Sequence, residues 1–172
     1  VIVAMAGLPG SGKSALASEL ARALGCALLS VDPVEAALWR SGVDRDQPTG
    51  LAAYVVVDAL AAEQLALGAS VVVDAVNAEE PAREQWRQLA VRTGVELRFI
   101  EVRCPDATEH RRRLEQRQRR LRDFREPTWD DVLARAAGSA DWTDDRLVID
   151  SLQDRESNLR TALAYLGRTF GA

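Results

Sequence analysis

The chain has 172 residues, of which 47% are hydrophobic and 28% charged, with a formal net charge of -4. These values suit one globular domain with a full core, and the acidic balance argues against general electrostatic attraction to nucleic acid. Cys26 and Cys104 stand alone and the chain has a single histidine, which argues against a zinc site or disulfide framework and fits a reducing cytosol.

The chain reads as alternating strands and helices. Val1 to Ala6, VIVAMA, is short, apolar and β-branched, and predicts a strand buried on both faces. A glycine-rich turn follows, then a helix with Leu16, Leu20 and Leu24 in register. Ala27 to Asp32, ALLSVD, predicts a second buried strand, with Pro33 opening a helix through Trp39. Ser41 to Gly50 is a polar loop, and Leu51 to Leu67 a helix ended by Gly68. Ala69 to Asn77 predicts the third strand. Glu79 to Thr93 is an amphipathic helix with Gly94 as its stop signal, and Val95 to Cys104 the fourth strand. Asp106 to Arg125 predicts a strongly basic helix, and Thr128 to Ala137 another, led by a threonine cap. Arg146 to Asp150 is the fifth strand, and a closing helix runs from about Arg155 to Arg168.

This order predicts an α/β fold, a five-stranded parallel sheet flanked by helices, in one domain over residues 1–172. There is no internal repeat, no low-complexity linker and no run expected to span a membrane. The chain opens on a strand rather than an initiator Met, which leaves room for a short extension or targeting segment upstream. Ligands of such sheets sit at the carboxyl ends of the strands.

The turn after the first strand is Gly7-Leu8-Pro9-Gly10-Ser11-Gly12-Lys13-Ser14. It fits Gly-x-x-x-x-Gly-Lys-Ser/Thr at every fixed position, with the strand before and helix after that the motif requires. Glycine lets successive N–H groups point into one concavity, which with the helix N-terminus holds anionic phosphate. The predicted nucleotide set is Gly10, Ser11, Gly12, Lys13, Ser14 and Ala15. Lys13 reaches the β- and γ-phosphates and Ser14 offers its hydroxyl to Mg²⁺, so ATP and Mg²⁺ are the expected cofactors.

Two predicted strands end in aspartate at the same edge. Asp32 is the candidate base for an attacking hydroxyl, with a helix N-cap as the alternative. Asp74 either hydrogen-bonds the phosphate loop or serves Mg²⁺ or substrate, and Asn77 either meets substrate or caps the helix at Glu79. Trp39 and Tyr54 are candidate acceptor-site aromatics, with core packing as their alternative. No DxxG follows the third strand and no N-K-x-D reads guanine, so a transferase fits better than a switch or motor.

His110 to Arg125, HRRRLEQRQRRLRDFR, is the most basic stretch. Arg113, Arg117 and Arg120 share one helical face and can neutralise a transferring phosphoryl group. Most of the other arginines suit a solvated face paired with Glu109, Glu115 and Asp123, and His110 is expected at the surface. Arg146, or the loop after Asp150, is placed to border adenine.

GLPGSGKS, SVD, VVVDAVN, the arginine-rich helix and RLVID together resemble the compact P-loop kinases. Relatives include chloramphenicol phosphotransferase, the zeta toxins and the kinase domain of polynucleotide kinases. The resemblance covers nearly the whole chain, and its specific part is the phosphate loop. It implies ATP with Mg²⁺ and transfer to a hydroxyl, with the base landing on Asp32 and the lid arginines on Arg113 and Arg117, in a lid over about 106–128. Polynucleotide kinases tend to carry an arginine one turn after that aspartate, where this chain has Glu35. The departure disfavours a polynucleotide acceptor, though Arg40 or Arg45 could substitute. The reading is thus a cytoplasmic kinase acting on a small-molecule hydroxyl, with a polynucleotide or nucleotide-sugar kinase and an acceptor-free ATP-binding regulator as rivals. The acceptor's identity and the oligomeric state are not written in the sequence.

Overall fold

The computed structural model describes residues 1–117, 126–137 and 142–167. Five strands form one sheet in the order β2-β3-β1-β4-β5, every pairing parallel. β1 (Ile2–Ala6) is buried at all five positions, as expected of a central strand covered on both faces. β3 (Val71–Asp74) and β4 (Leu97–Arg103) flank it; β2 (Ala27–Ser30) and β5 (Arg146–Asp150) form the edges. Ser30 pairs in register with Asp74, Asp74 with Met5, and Arg103 with Asp150, so the carboxyl ends gather at one edge.

Successive side chains of a strand point to opposite faces, and β1 divides two cores accordingly. Ile2, Ala4 and Ala6 pack with α3 (Thr49–Ala66) through Ala53, Val57 and Ala61 and with α4 (Glu80–Thr93) through Trp86 and Leu89. Val3 and Met5 pack with α1 (Lys13–Leu24) through Leu16, Ala17 and Leu20 and with α7 (Arg155–Tyr165) through Ala162 and Leu163. Both cysteines are free thiols, Cys26 packed against the second core and Cys104 buried, as expected for small core residues.

Near the site, the ends of β2 and α5 differ from expectation. β2 stops at Ser30, and α2 (Val31–Arg40) begins at once, so Asp32 and Pro33 lie in its first turn rather than on a strand. Proline's fixed φ suits a first helical turn, and a carboxylate there meets the positive end of the helix dipole. The cap position is Ser30, so Asp32 is not the N-cap. The basic helix α5 (Ala107–Glu115) closes at its Gln116 C-cap, and the expected continuation from 118 to 125, with Arg120, lies outside the described residues. The threonine cap is borne out at α6 (Trp129–Ala137): Thr128 Oγ1 accepts from the Asp131 N–H while Asp131 Oδ2 accepts from the Thr128 N–H.

The expected absence of a membrane-length apolar run also needs correcting. α3 is 18 residues long with mean hydropathy 1.2, which suffices to cross a membrane by length and composition. Its Ala53, Val57, Ala61 and Leu65 lie buried on the sheet core, the packing of a helix within a globular fold.

Candidate active site

Between β1 and α1 the chain folds into a cradle made mainly of backbone. A Cβ on Gly7, at φ 142°, would stand 2.4 Å from the Val102 carbonyl oxygen, so only glycine fits this close approach to β4. A Cβ on Gly10 would lie 3.2 Å from His110 Cδ2 and from Leu114 Cβ, because α5 packs directly over the loop. His110 corrects the expectation of a surface residue. It is 6% exposed, its Nε2 lies 2.8 Å from the Pro9 carbonyl oxygen, and its ring meets Trp129 edge-on at 5.3 Å.

Leu8, Gly10, Gly12, Lys13, Ser14, Ala15, Arg113 and Arg117 line one concavity of about 260 Å³, which joins most of the predicted nucleotide set. Ser11 turns its side chain away. Its buried hydroxyl faces a separate cavity beside the end of β4 and finds no hydrogen-bond partner among the described residues. Lys13, 4% exposed, stands with Nζ 3.7 Å from Asp74 Oδ1, an oxygen that accepts no hydrogen bond. Asp74 thus meets the phosphate loop through an ion pair with Lys13, where a hydrogen bond is one of the expected alternatives.

Arg113 donates from Nη1 to the Ser151 hydroxyl at 3.0 Å and from Nε to Glu109 at 2.7 Å. Gly12, Ala15, Leu16, Arg113, Ser151 and Asn158 wall a narrow groove of about 200 Å³ next to the cradle. The loop after Asp150 lies beside the cradle through Ser151, and Arg146 stands apart from it. Its guanidinium lies over Trp142 at 4.3 Å and pairs with Glu101 at 2.7 Å beneath α4. Arg111 and Arg112 pair with Glu115 and Glu109 on the solvated face, as predicted, and Arg112 and Arg113 hold the Glu109 carboxyl down at about 2.

The second half of the site lies under α2, α3 and α6. Asp32, Glu35, Tyr54, Asn77, Glu79 and Arg135 are among the walls of a pocket of about 250 Å³. Burial first, and the charges of Asp32 and Asp74 after it, push the Tyr54 hydroxyl up to about 12, so it stays neutral, and it accepts from the Asn77 N–H at 3.3 Å. Asn77 contributes backbone only. At φ 49° it is a non-glycine residue in the left-handed region, and its amide donates to Met5 O at 2.7 Å and accepts from Trp86 Nε1 at 2.9 Å. The side chain is thereby turned into the core and does not cap α4, whose N-cap is Glu79. Trp39 is not in the pocket wall; its Nε1 donates to Thr49 Oγ1 at 3.0 Å. Trp129 packs edge-on to His110, and Trp142 edge-on to Phe99.

Two arginines here carry no local sequence signal. Arg83, 1% exposed, donates to the carbonyls of Asn77 and Ala78 at 3.2 and 2.5 Å and lies over Trp142, so it fixes the pocket's β3–α4 wall. Arg135 reaches the pocket from α6, the only cation in its wall among the described residues. Chemically, the arrangement offers a polyphosphate cradle, a lysine–aspartate pair at its inner end and a carboxylate-lined pocket beside it. No three His, Cys, Asp or Glu side chains cluster as a metal site among the described residues. A divalent cation would therefore bind through Ser14, Asp74, phosphate oxygens and water, as Mg²⁺ commonly does.

A family model described as an AAA domain matches residues 2–138. Solved structures share the fold at low identity. A Chloroflexus aurantiacus protein described as a candidate kinase superposes with TM-score 0.77 at 19% identity, covering 95% of this chain and 97% of that one. A sugar kinase from Janibacter gives 0.72 at 18%, covering 96% and 94%. Kti12 from Chaetomium thermophilum, in complex with ADP-AlF3, gives 0.72 at 17% and covers both chains fully. No curated protein matches the chain at significance.

Proposed function

The chain belongs to the AAA domain family, and from that premise we propose that it is an ATP-dependent phosphotransferase moving the γ-phosphate to a hydroxyl of a small molecule. One observation carries the reading. Asp74, which holds Lys13 at the cradle, is the register partner of Ser30, and Asp32 stands two residues on, in the wall of the acceptor pocket. A hydroxyl bound against Asp32 would face a phosphate held by Lys13.

ATP supplies the phosphoryl group. The loop amides and Lys13 hold its β- and γ-phosphates, and Ser14 Oγ and Asp74 serve Mg²⁺. Asp32 accepts the proton of the attacking hydroxyl as the oxygen–phosphorus bond forms and the bond to the β-phosphate oxygen breaks. Arg113, Arg117 and Arg135 offset charge on the transferring group. Catalysis here is mostly positioning and electrostatics. Two free thiols and ATP as donor accord with a cytoplasmic setting.

The rival is a nucleotide-binding regulator with no acceptor, a reading that the shared fold with Kti12 leaves open. The test is thermal stabilisation by ATP-Mg²⁺ followed by phosphate transfer to hydroxyl compounds and 5′-hydroxyl oligonucleotides. Transfer to a small molecule is the expected result. Tight ATP binding with hydrolysis indifferent to every acceptor would favour the regulator, and transfer only to oligonucleotides would favour a polynucleotide kinase.

A further inference from the structure

We propose that the acceptor pocket selects hydroxyl compounds bearing an ammonium group, and that Glu35 reads that group. The inference rests on the phosphotransferase reading and names its acceptor class.

Glu35 lies one helical turn beyond Asp32 in the same pocket wall. Its orientation is built rather than incidental. Thr49, 4% exposed at the start of α3, donates its hydroxyl to Glu35 Oε1 at 2.9 Å and accepts from Trp39 Nε1 at 3.0 Å. The Trp39–Thr49–Glu35 chain joins the two ends of the 41–48 loop. Arg45 packs over Trp39 with its guanidinium carbon 5.0 Å from the ring centroid. Gly50 lies against the same carboxylate, where a Cβ would stand in ordinary contact, 3.5 Å from Oε1.

This aimed carboxylate receives no cation from the described residues. Its one bond is to a neutral hydroxyl, while Glu101 and Glu109 each bind two arginines. A carboxylate held in the pocket wall in this way repels carboxylated or phosphorylated alcohols and pairs with an ammonium group, so selectivity arises from both repulsion and attraction. A charge-assisted hydrogen bond of this kind changes acceptor efficiency about 10- to 100-fold.

The test measures kcat/KM and thermal stabilisation with matched acceptors: glucosamine, N-acetylglucosamine, glucose and gluconate, and streptamine against inositol. The ammonium member of each set should lead its uncharged partner by about 10-fold or more, with gluconate weakest. Glu35→Gln should bring the ratio towards one, and Thr49→Val, which frees the carboxylate without removing it, should lower it partway, mainly through KM. A mere packing role for Glu35 would slow all acceptors equally and leave the ratio intact, overturning the proposal. So would preference for neutral or anionic acceptors, or ammonium compounds no better than their partners in turnover or stabilisation. Phosphate transfer by the wild type separates the two readings. With no transfer to any acceptor both fall; with transfer, equal response to charged and uncharged acceptors removes this one alone.

Discussion

The cradle and the pocket beneath α2, α3 and α6 are built from different material. The cradle is a run of eight consecutive residues whose work is done by backbone amides, close glycine contacts and one lysine. The pocket takes one or two side chains from each of α2, α3, the β3–α4 loop and α6, and their orientation depends on partners elsewhere. Backbone chemistry suits a ligand common to many proteins. Side-chain chemistry lets neighbouring pockets differ in what they admit.

Substitutions that hit one half and spare the other test this division. Lys13→Ala should have the largest effect, lowering turnover on the order of 10³-fold or more and weakening ATP binding in a nucleotide titration. Asp32→Asn should leave ATP binding near normal and reduce transfer about 10²- to 10⁴-fold. Near-normal transfer by this variant would remove Asp32 as the base and blur the boundary between the halves. His110→Ala strips a partner from the Pro9 carbonyl under α5. It should cost about 1–3 kcal/mol in denaturant unfolding and raise KM for ATP more than for the acceptor. An effect on the acceptor alone would contradict its place in the cradle.

The smallest effect lies outside both halves. Burial pushes the Glu101 carboxyl up, but hydrogen bonds from Arg103 and Arg146 outweigh it and hold the group below its ordinary 4.5. A depressed folded-state pKa gives stability that is complete above 4.5 and lost as pH falls through the lowered value. Glu101→Gln should therefore flatten the acid limb of a stability–pH curve, by about 1 kcal/mol or less, and leave both KM values unchanged.

The same contrast decides what could be read in advance. The cradle was legible because its spacing is local: glycines, lysine and serine at fixed offsets between a buried strand and a helix. Alternating segments likewise announced the parallel sheet. The end of β2 was misplaced because Val31 and Asp32 read as strand, although Pro33 fits the helical turn it occupies. Trp39 as a support for Thr49, Asn77 turned into the core, and His110 beneath the loop all rest on contacts between distant segments. The His110–Pro9 contact spans 101 positions. No pattern of neighbouring residues encodes such pairs.

β1 alternates its side chains between two separate cores, one carrying the cradle helix α1 and the other carrying α3 and α4. In evolutionary terms the central strand is a partition. Mutations that resculpt the pocket through α3 and α4 are absorbed by the core on their own side, with the opposite core left as it was. A lineage built on this plan can vary the walls of one cavity while the helix behind the glycine-rich loop keeps its packing.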